Sequence, residues 1–396
     1  MMADAEQSAA GNDPLASRAP LQVVLIGAGH AHLQVVEWWR RRSLPGVELI
    51  LLSAFDRAAY SGMLPGCLAG MLSPREFMID LPALTARCGV KLIVDRAVAL
   101  DPGARVIACA HHPSVSYDIA SINIGSVPQA ESLCQTHRSL ISVKPLLTFV
   151  DRLDKRIADW QSQQQGSGAT APLRLAVVGA GAAGIELALC LSTKLRKQDI
   201  DAEVFLIDAG RELWRGASRG AQRYARRALE RSRTAVWLGK RVMACDEDGP
   251  TELVLEDGVR RQCDLAVWAT GAAPHAVAAR FGLPTTDSGF LAVRPTMQST
   301  GVDDVFVVGD AAEMSGVHIP KAGVYAVRQG AVLFENIRRL IAGKPLTTYR
   351  PQAQFLSLLA CGDGTAIVDY RGWACRSRSA WRLKLWIDRS FVKRFQ

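Results

Sequence analysis

The chain has 396 residues, 49% hydrophobic and 21% charged, a globular composition long enough for two or three domains with substantial cores. Its longest apolar stretch, Leu175 to Ile185, is broken by Gly179, Gly181 and Gly184, which excludes a membrane-spanning helix there. The nine cysteines form no C-x-x-C pair, which argues against a disulfide scaffold and a CxxC zinc site and fits a reducing, cytoplasmic setting. The net charge of +9 is concentrated at one end. Residues 371–396 carry eight basic side chains and one acid, leaving +2 for the rest, so a general nucleic-acid role is not expected.

The first twenty residues are small and polar, with no signal or transit pattern, and read as a disordered leader. From Leu21 an apolar run, Val23 to Ile26, ends in Gly27-Ala28-Gly29-His30-Ala31-His32. A helical pattern through Val35, Val36, Trp38 and Trp39 follows, then a buried strand over Val47 to Leu52. The same order recurs about 150 residues on. Leu175 to Val178 predicts a strand, Gly179 to Gly184 a turn, Ile185 to Lys197 a helix and Val204 to Ile207 a strand. Between the two units, Gln161 to Gly168 is polar and low in complexity and reads as a surface loop or linker. The pattern predicts an α/β chain with two Rossmann-like dinucleotide domains.

In the first turn, Gly27 and Gly29 permit close backbone approach to a pyrophosphate, while His32 occupies the third glycine position. The second turn has all three glycines, Gly179, Gly181 and Gly184. Asp208 closes its next strand, either as an acceptor for a ribose 2′-hydroxyl or as a solvated loop acid. The former favours NADH over NADPH, with Arg211 and Arg215 near enough to weaken that preference. Ser53 stands at the equivalent place in the first unit.

Two further segments, Trp268-Ala269-Thr270-Gly271 and Val305 to Asp310, are apolar strands closing on Thr-Gly and Gly-Asp. With the two fingerprints they resemble the pyridine nucleotide-disulfide reductase superfamily, and within it type II NADH dehydrogenases. The likeness is greatest to the flavoprotein module found joined to selenide, water dikinase. Gly29–His32, Tyr60–Gly66, Lys321–Gly330 and Ile387–Phe391 carry that resemblance.

The resemblance implies an FAD domain over 21–145 and 280–345, an inserted NAD(P)H domain over 172–279, and a C-terminal region over 346–396. Gly27, Gly29, His30 and His32 would form the FAD turn. Gly309 and Asp310, at the start of a helix, would bind the ribityl or pyrophosphate part. Tyr60, Ser61, Gly62, Met63, Leu64 and Pro65 would lie against the isoalloxazine. A helix opened by Lys321, Ala322 and Gly323 would point at the flavin C2 carbonyl. Gly179, Gly181, Gly184, Asp208 and Gly271 would serve the nicotinamide cofactor. Glu186 would lie near the nicotinamide, or act only as a first-turn acid favoured by the helix dipole.

The implied activity is hydride transfer from NADH to FAD and onward to a quinone-like acceptor, with Glu186, Lys321 and Tyr60 at the reacting centre. Only Gln329 remains of the family's quinone-site glutamines. The alternatives are a selenium, sulfur or coenzyme A disulfide oxidoreductase using Cys67, otherwise a small buried hydrophobe, and a low-turnover flavin- or NADH-binding accessory protein. The histidines show no metal spacing, and no metal is expected. Residues 380–396 can be drawn as a basic amphipathic helix with Trp381, Leu383, Leu385, Ile387, Phe391, Val392 and Phe395 on one side. It either lies on the anionic inner face of a membrane, making the protein peripheral, or packs on the body.

Overall fold

Leu21–Ile26 (β1) pairs in parallel with Val47–Ser53 (β2) on one side and Ile119–Ile122 (β4) on the other. Lys91–Val94 (β3) and Val305–Val307 (β10) complete the five-stranded parallel order β10-β4-β1-β2-β3. Helix α1 (His30–Arg42) connects β1 to β2, and α2 (Leu81–Cys88) leads into β3. These strands read as unbroken apolar runs because both faces are covered, and Val23, Val24 and Leu25 are wholly buried. This computed structural model describes residues 19–129, 133, 137–167, 171–246, 251–317 and 319–396. The leader through residue 18, Cys134 and His318 lie outside the described residues.

The second sheet repeats the arrangement. Its parallel order is β5 (Leu140–Ser142), β9 (Leu265–Trp268), β6 (Leu173–Val178), β7 (Ala202–Asp208) and β8 (Ala235–Leu238). Helix α4 (Ala182–Lys197) connects β6 to β7. In both sheets the glycine-turn strand has its successor on one side and a much later strand on the other. The chain therefore reverses its winding at β1 and again at β6, opening a crevice at their carboxyl ends. β5, inside the stretch assigned to the first domain, belongs to the second sheet through its pairing with β9.

One expected loop is helical. Helix α3 runs Leu146–Ser167, so Gln161 to Gly166 continue it rather than forming a linker. Phe149, Leu153 and Ile157 are buried and anchor the helix, and glutamine is a good helix former with nothing here to stop it.

Beyond helix α6 (Gly323–Ile341), the C-terminal region is an antiparallel sheet of Ser357–Ala360 (β11), Ala366–Tyr370 (β12) and Trp373–Ser377 (β13). Helix α7 (Arg378–Val392) follows, capped by the Ser377 hydroxyl, which accepts from Ala380 N at 3.0 Å. Its inward face is Trp381, Lys384, Asp388, Phe391 and Val392, with Phe395 just beyond, so the apolar side drawn from sequence is largely spent on the body of the protein. Leu383 and Trp386 instead point outward, 40% and 68% exposed, among Arg382, Arg389 and Lys393.

Candidate functional site

The two glycine turns solve one packing problem in different ways. In the second, a Cβ on Gly184 would stand 1.7 Å from the Gly179 carbonyl oxygen, so only glycine lets α4 approach β6 this closely. At the same offset in the first turn, His32 bridges the gap with its ring. Nδ1 donates to the Gly27 carbonyl at 2.6 Å, which leaves Nε2 to accept from the Ser121 hydroxyl at 2.8 Å. Burial lowers this imidazole to about 3 and keeps it neutral.

Asn123, which the sequence reading passed over, ties the first turn to the Gly309 turn. Its Oδ1 accepts from Ala31 N and His32 N at 3.2 and 3.4 Å, and its Nδ2 donates to Val308 O at 3.0 Å. A Cβ on Gly29 or Gly309 would fall within 2.2 or 2.4 Å of this amide. The signal that could have found Asn123 is Ile124-Gly125-Ser126 after an apolar strand, a pattern like Trp268 to Gly271.

Asp310 stands in a single 3₁₀ turn, Gly309–Ala311, followed by the short strand Ala312–Met314, and not at the start of a helix as expected. Its carboxylate accepts from Ser126 Oγ at 3.3 Å and lies 3.8 Å from Lys144, whose ammonium also donates to Ser126 O at 2.6 Å. Lys144 is a second residue missed from sequence. Gln329 is buried, with its Oε1 accepting from Gly309 N at 2.6 Å, so it braces this turn instead of facing an acceptor. Ser53 is buried at the end of β2.

Tyr60, Gly62 and α7 converge on one spot. Lys384 Nζ donates to Gly62 O at 2.7 Å and to Asp388 Oδ2 at 3.0 Å, and the Tyr60 hydroxyl donates to Asp388 Oδ1 at 3.2 Å. The Tyr60 ring lies 4.7 Å from Phe391 and 5.3 Å from His30 between centroids. His30 in turn sits beside Gly323 at the opening of α6. Met63, Leu64 and Pro65 are buried in the core, so Tyr60, Ser61 and Gly62 form the accessible part of this segment.

Glu186, in the first turn and a half of α4, accepts from Ala360 N at 2.6 Å. Burial raises its carboxyl to about 7, against the downward pull of the Lys384 charge. Burial alone would lower Lys384, but the charges of Glu186 and Asp388 outweigh it and the net shift is upward. Burial also pushes Tyr60 well up, with Asp388 adding to it, and lowers His30 to about 4. Lys321 lies elsewhere in the arrangement, with Nζ donating to Ala312 O at 2.5 Å and seated 3.9 Å from the Phe290 ring centroid.

The second crevice is a cavity of about 890 Å³ bordered by Gly179, Gly181, Asp208 and Gly271. Asp208 Oδ2 accepts from Ala180 N and Oδ1 from Gly210 N, both at 2.6 Å. Helices α4 and α6 begin at Gly181 and Ala322 with no side-chain cap, whereas Ser218 and Ser377 cap their helices. Uncapped N-termini at glycine turns offer N–H groups and positive dipole to anionic ligands, and Asp310 offers an acceptor for sugar hydroxyls. This donor set fits FAD at the first crevice and a nicotinamide dinucleotide at the second. Cys67 is buried, its thiol pushed up to about 11 by burial, so it holds no activated thiolate. Among the described residues no three His, Cys, Asp or Glu side chains could hold a metal ion.

Comparison with known proteins agrees with this geometry. Over 191 residues the chain is 29% identical to the type II NADH:quinone oxidoreductase of Haemophilus influenzae, covering 45% of this chain and 42% of that protein. The chain thus spans less than half the length of that relative. Over 342 residues it is 22% identical to the NADH dehydrogenase-like protein YutJ of Bacillus subtilis, covering 85% and 89%. The sulfide:quinone oxidoreductase of Aquifex aeolicus shares the fold, with a TM-score of 0.77 at 16% identity over 95% of this chain and 91% of that one. The family model for pyridine nucleotide-disulphide oxidoreductases matches residues 21–330, and the chain belongs to that family.

Proposed function

We propose that the protein is an FAD-dependent NAD(P)H oxidoreductase that passes electrons to a quinone-like acceptor. The observation that carries this reading is the meeting of three parts of the chain. Glu186 from the second unit, Tyr60 and Gly62 from the first, and Lys384 and Asp388 from α7 share one partly water-excluded spot.

FAD, when bound, supplies the capacity to take two electrons from a pyridine nucleotide and give them to another acceptor. The α1 turn with Gly27, Gly29 and Asn123, together with Ser126, Lys144 and Asp310, would hold its ribityl and pyrophosphate parts. The α6 N-terminus would face the flavin carbonyl edge, where its dipole stabilises negative charge. Gly179, Gly181 and Gly271 would seat the dinucleotide. Glu186, poised near neutrality, can hold a proton at pH 7 and release it, and Lys384 keeps that carboxyl from rising further. Quinone reduction needs two protons as well as two electrons, and Glu186 is a donor of suitable acidity. Burial keeps the Cys67 thiol protonated against the opposing charge of Lys194, which disfavours a thiol-based reaction.

Surface association is part of the same reading. Among the described residues no helix is long and apolar enough to cross a membrane. Arg382, Trp386 and Arg389 on α7, with Lys393 just past its end, form an outward stripe suited to the headgroup layer of an anionic membrane.

The test is stopped-flow reduction of the FAD-loaded protein by NADH or NADPH, followed by mixing with ubiquinone and menaquinone analogues. Rapid bleaching and reoxidation support the proposal. A protein that takes up no FAD, or whose flavin neither nucleotide reduces, refutes it.

A further inference from the structure

Charge in this chain is more segregated than its total suggests. Helix α5 (Arg219–Arg231), which leads from β7 to β8, carries +4, and residues 371–396 carry +7 of a total of +9, so the remainder of the chain is −2. On α5 the inward residues are Ala221, Ala225, Ala228 and Leu229, all buried. The outward face is Arg219, Arg223, Arg226, Arg227 and Arg231, all exposed, with Glu230 the one acid among them. None of the five arginines has an ion-pair partner among the described residues.

Helix physics alone would not choose this face. Arg219 and Arg223, Arg223 and Arg227, and Arg227 and Arg231 are like-charge pairs four residues apart, and each pair weakens the helix. Arg219 also opens the helix, where a cation opposes the dipole and the first turn has no acid to offset it. A face needed only for solubility would mix the two signs. Guanidinium groups about 6 Å apart along a ridge of about 18 Å pair with phosphates at an anionic surface, and binding there relieves their mutual repulsion.

The start of α5 abuts the tip of the β12–β13 hairpin. Ser218 N donates to Asp369 Oδ2 at 3.1 Å, and the Ala374 Cβ stands 3.1 Å from where a Cβ on Gly220 would lie. Between Asp369 and Ala374 the hairpin turns through Arg371 and Gly372, and its cross-strand pair, Tyr370 and Trp373, is 39% and 60% exposed. The Arg371 guanidinium lies 5.2 Å from the Tyr370 ring centroid. Exposed tryptophan and tyrosine beside arginines suit the layer between water and lipid tails. A ridge on one helix, flanked by aromatic rings, fits a flat lipid surface, whereas a nucleic-acid strand asks for a groove that tracks it. We propose that α5 and the hairpin tip form a second membrane-docking surface, for the anionic headgroups of a bilayer, separate from the outward stripe of α7. The inference rests on the surface-association reading above and deepens it, because the second dinucleotide unit then faces the lipid and not the C-terminal helix alone.

The test is sedimentation of the full FAD-loaded chain with phosphatidylcholine vesicles containing phosphatidylserine. R223E/R227E should lower partitioning more than tenfold, at about fivefold for each arginine lost. The same variant should melt no lower than the wild type, because two of the three like-charge contacts become attractive. Trp373→Ser should weaken vesicle binding and leave its salt dependence unchanged, since no charge is lost. R223E/R227E combined with R382E/K393E should bind more weakly than either alone. Unchanged partitioning of R223E/R227E overturns the proposal even where R382E/K393E abolishes binding, a result that leaves the α7 contact standing. Binding of a single-stranded oligonucleotide that R223E/R227E abolishes, with vesicle binding kept, assigns the ridge to nucleic acid and overturns it as well. If the wild type does not sediment with these vesicles at all, both membrane contacts fail, and stopped-flow reduction still decides the oxidoreductase reading.

Discussion

Lys384 and Asp388 form an ion pair at 3.0 Å with both side chains less than a tenth exposed, on a helix whose other face is wet. A pair this dry is weak as a source of stability, because desolvating two charges offsets most of their attraction. Breaking it from one side is another matter. Asp388→Ala should leave Lys384 buried with only Glu186 to balance it and should destabilise the protein by about 3–5 kcal/mol. Lys384→Met with Asp388→Leu should recover most of that loss in urea unfolding, while losing the hydrogen bonds to Gly62 and Tyr60. If the double replacement is as unstable as the single one, the pair is a stabilising contact and not an oriented charge.

Glu186 gives a pH signature with a definite sign. Burial raises its folded-state carboxyl to about 7, above the unfolded value near 4.5. Its contribution to stability is therefore fully present below about pH 4.5 and is lost as pH rises through 7. Subtracting the pH–stability curve of Glu186→Gln should expose that slope. In turnover with a quinone, an ionisation near 7 should appear in the wild type and vanish in Glu186→Gln. Lys384→Met should move it upward by about one unit, because removing a neighbouring cation makes the carboxylate harder to form. A profile unchanged by both substitutions would remove Glu186 from the proton path.

The second glycine turn separates folding from binding. Gly184→Ala places a methyl on the Gly179 carbonyl, so α4 must shift, costing about 1–3 kcal/mol and damaging nucleotide binding together. A Cβ on Gly181 meets no protein atom within 4 Å, yet Gly181 borders the cavity. Gly181→Ala should melt within about 2 °C of the wild type and raise KM for the pyridine nucleotide about tenfold. Thermal melting beside steady-state kinetics checks both.

Membrane contact, if made through α7, must use its outward stripe. Arg382 and Lys393 have no ion-pair partner among the described residues, and each basic side chain near an anionic surface adds about 1 kcal/mol of attraction. R382E/K393E should lower sedimentation with phosphatidylserine vesicles by more than tenfold, and Trp386→Ser should weaken it as well. Neutral phosphatidylcholine vesicles should bind poorly in every case. Equal sedimentation of wild type and R382E/K393E would assign that surface to water.

The parts legible from sequence were those written in local periodicity. β1, α1 and β2, and again β6, α4 and β7, follow from apolar runs and glycines within about thirty residues, and the structure places them with small changes at their ends. The continuation of α3 through Gln161 was missed because its anchor, Phe149 to Ile157, lies upstream of the polar stretch. Asn123 and Lys144 were missed because each works through partners near or beyond residue 300, or across a turn from Ser126. In the sequence Lys384 is one more basic residue of the helix drawn over 380–396. Its meaning comes from Gly62, 322 residues away, which no spacing rule reaches.

The two turns also differ in how easily they can breathe. Widening the first means pulling the His32 ring off both Gly27 and Ser121, whereas the second has no ring across it and is held by the Gly184 backbone contact and by Asp208 on Ala180 N. A cradle cross-braced through its helix suits an occupant that stays for the life of the molecule, and one without that brace suits a visitor released at every turnover. The difference between the two braces rests on one position, histidine in the first turn and glycine in the second.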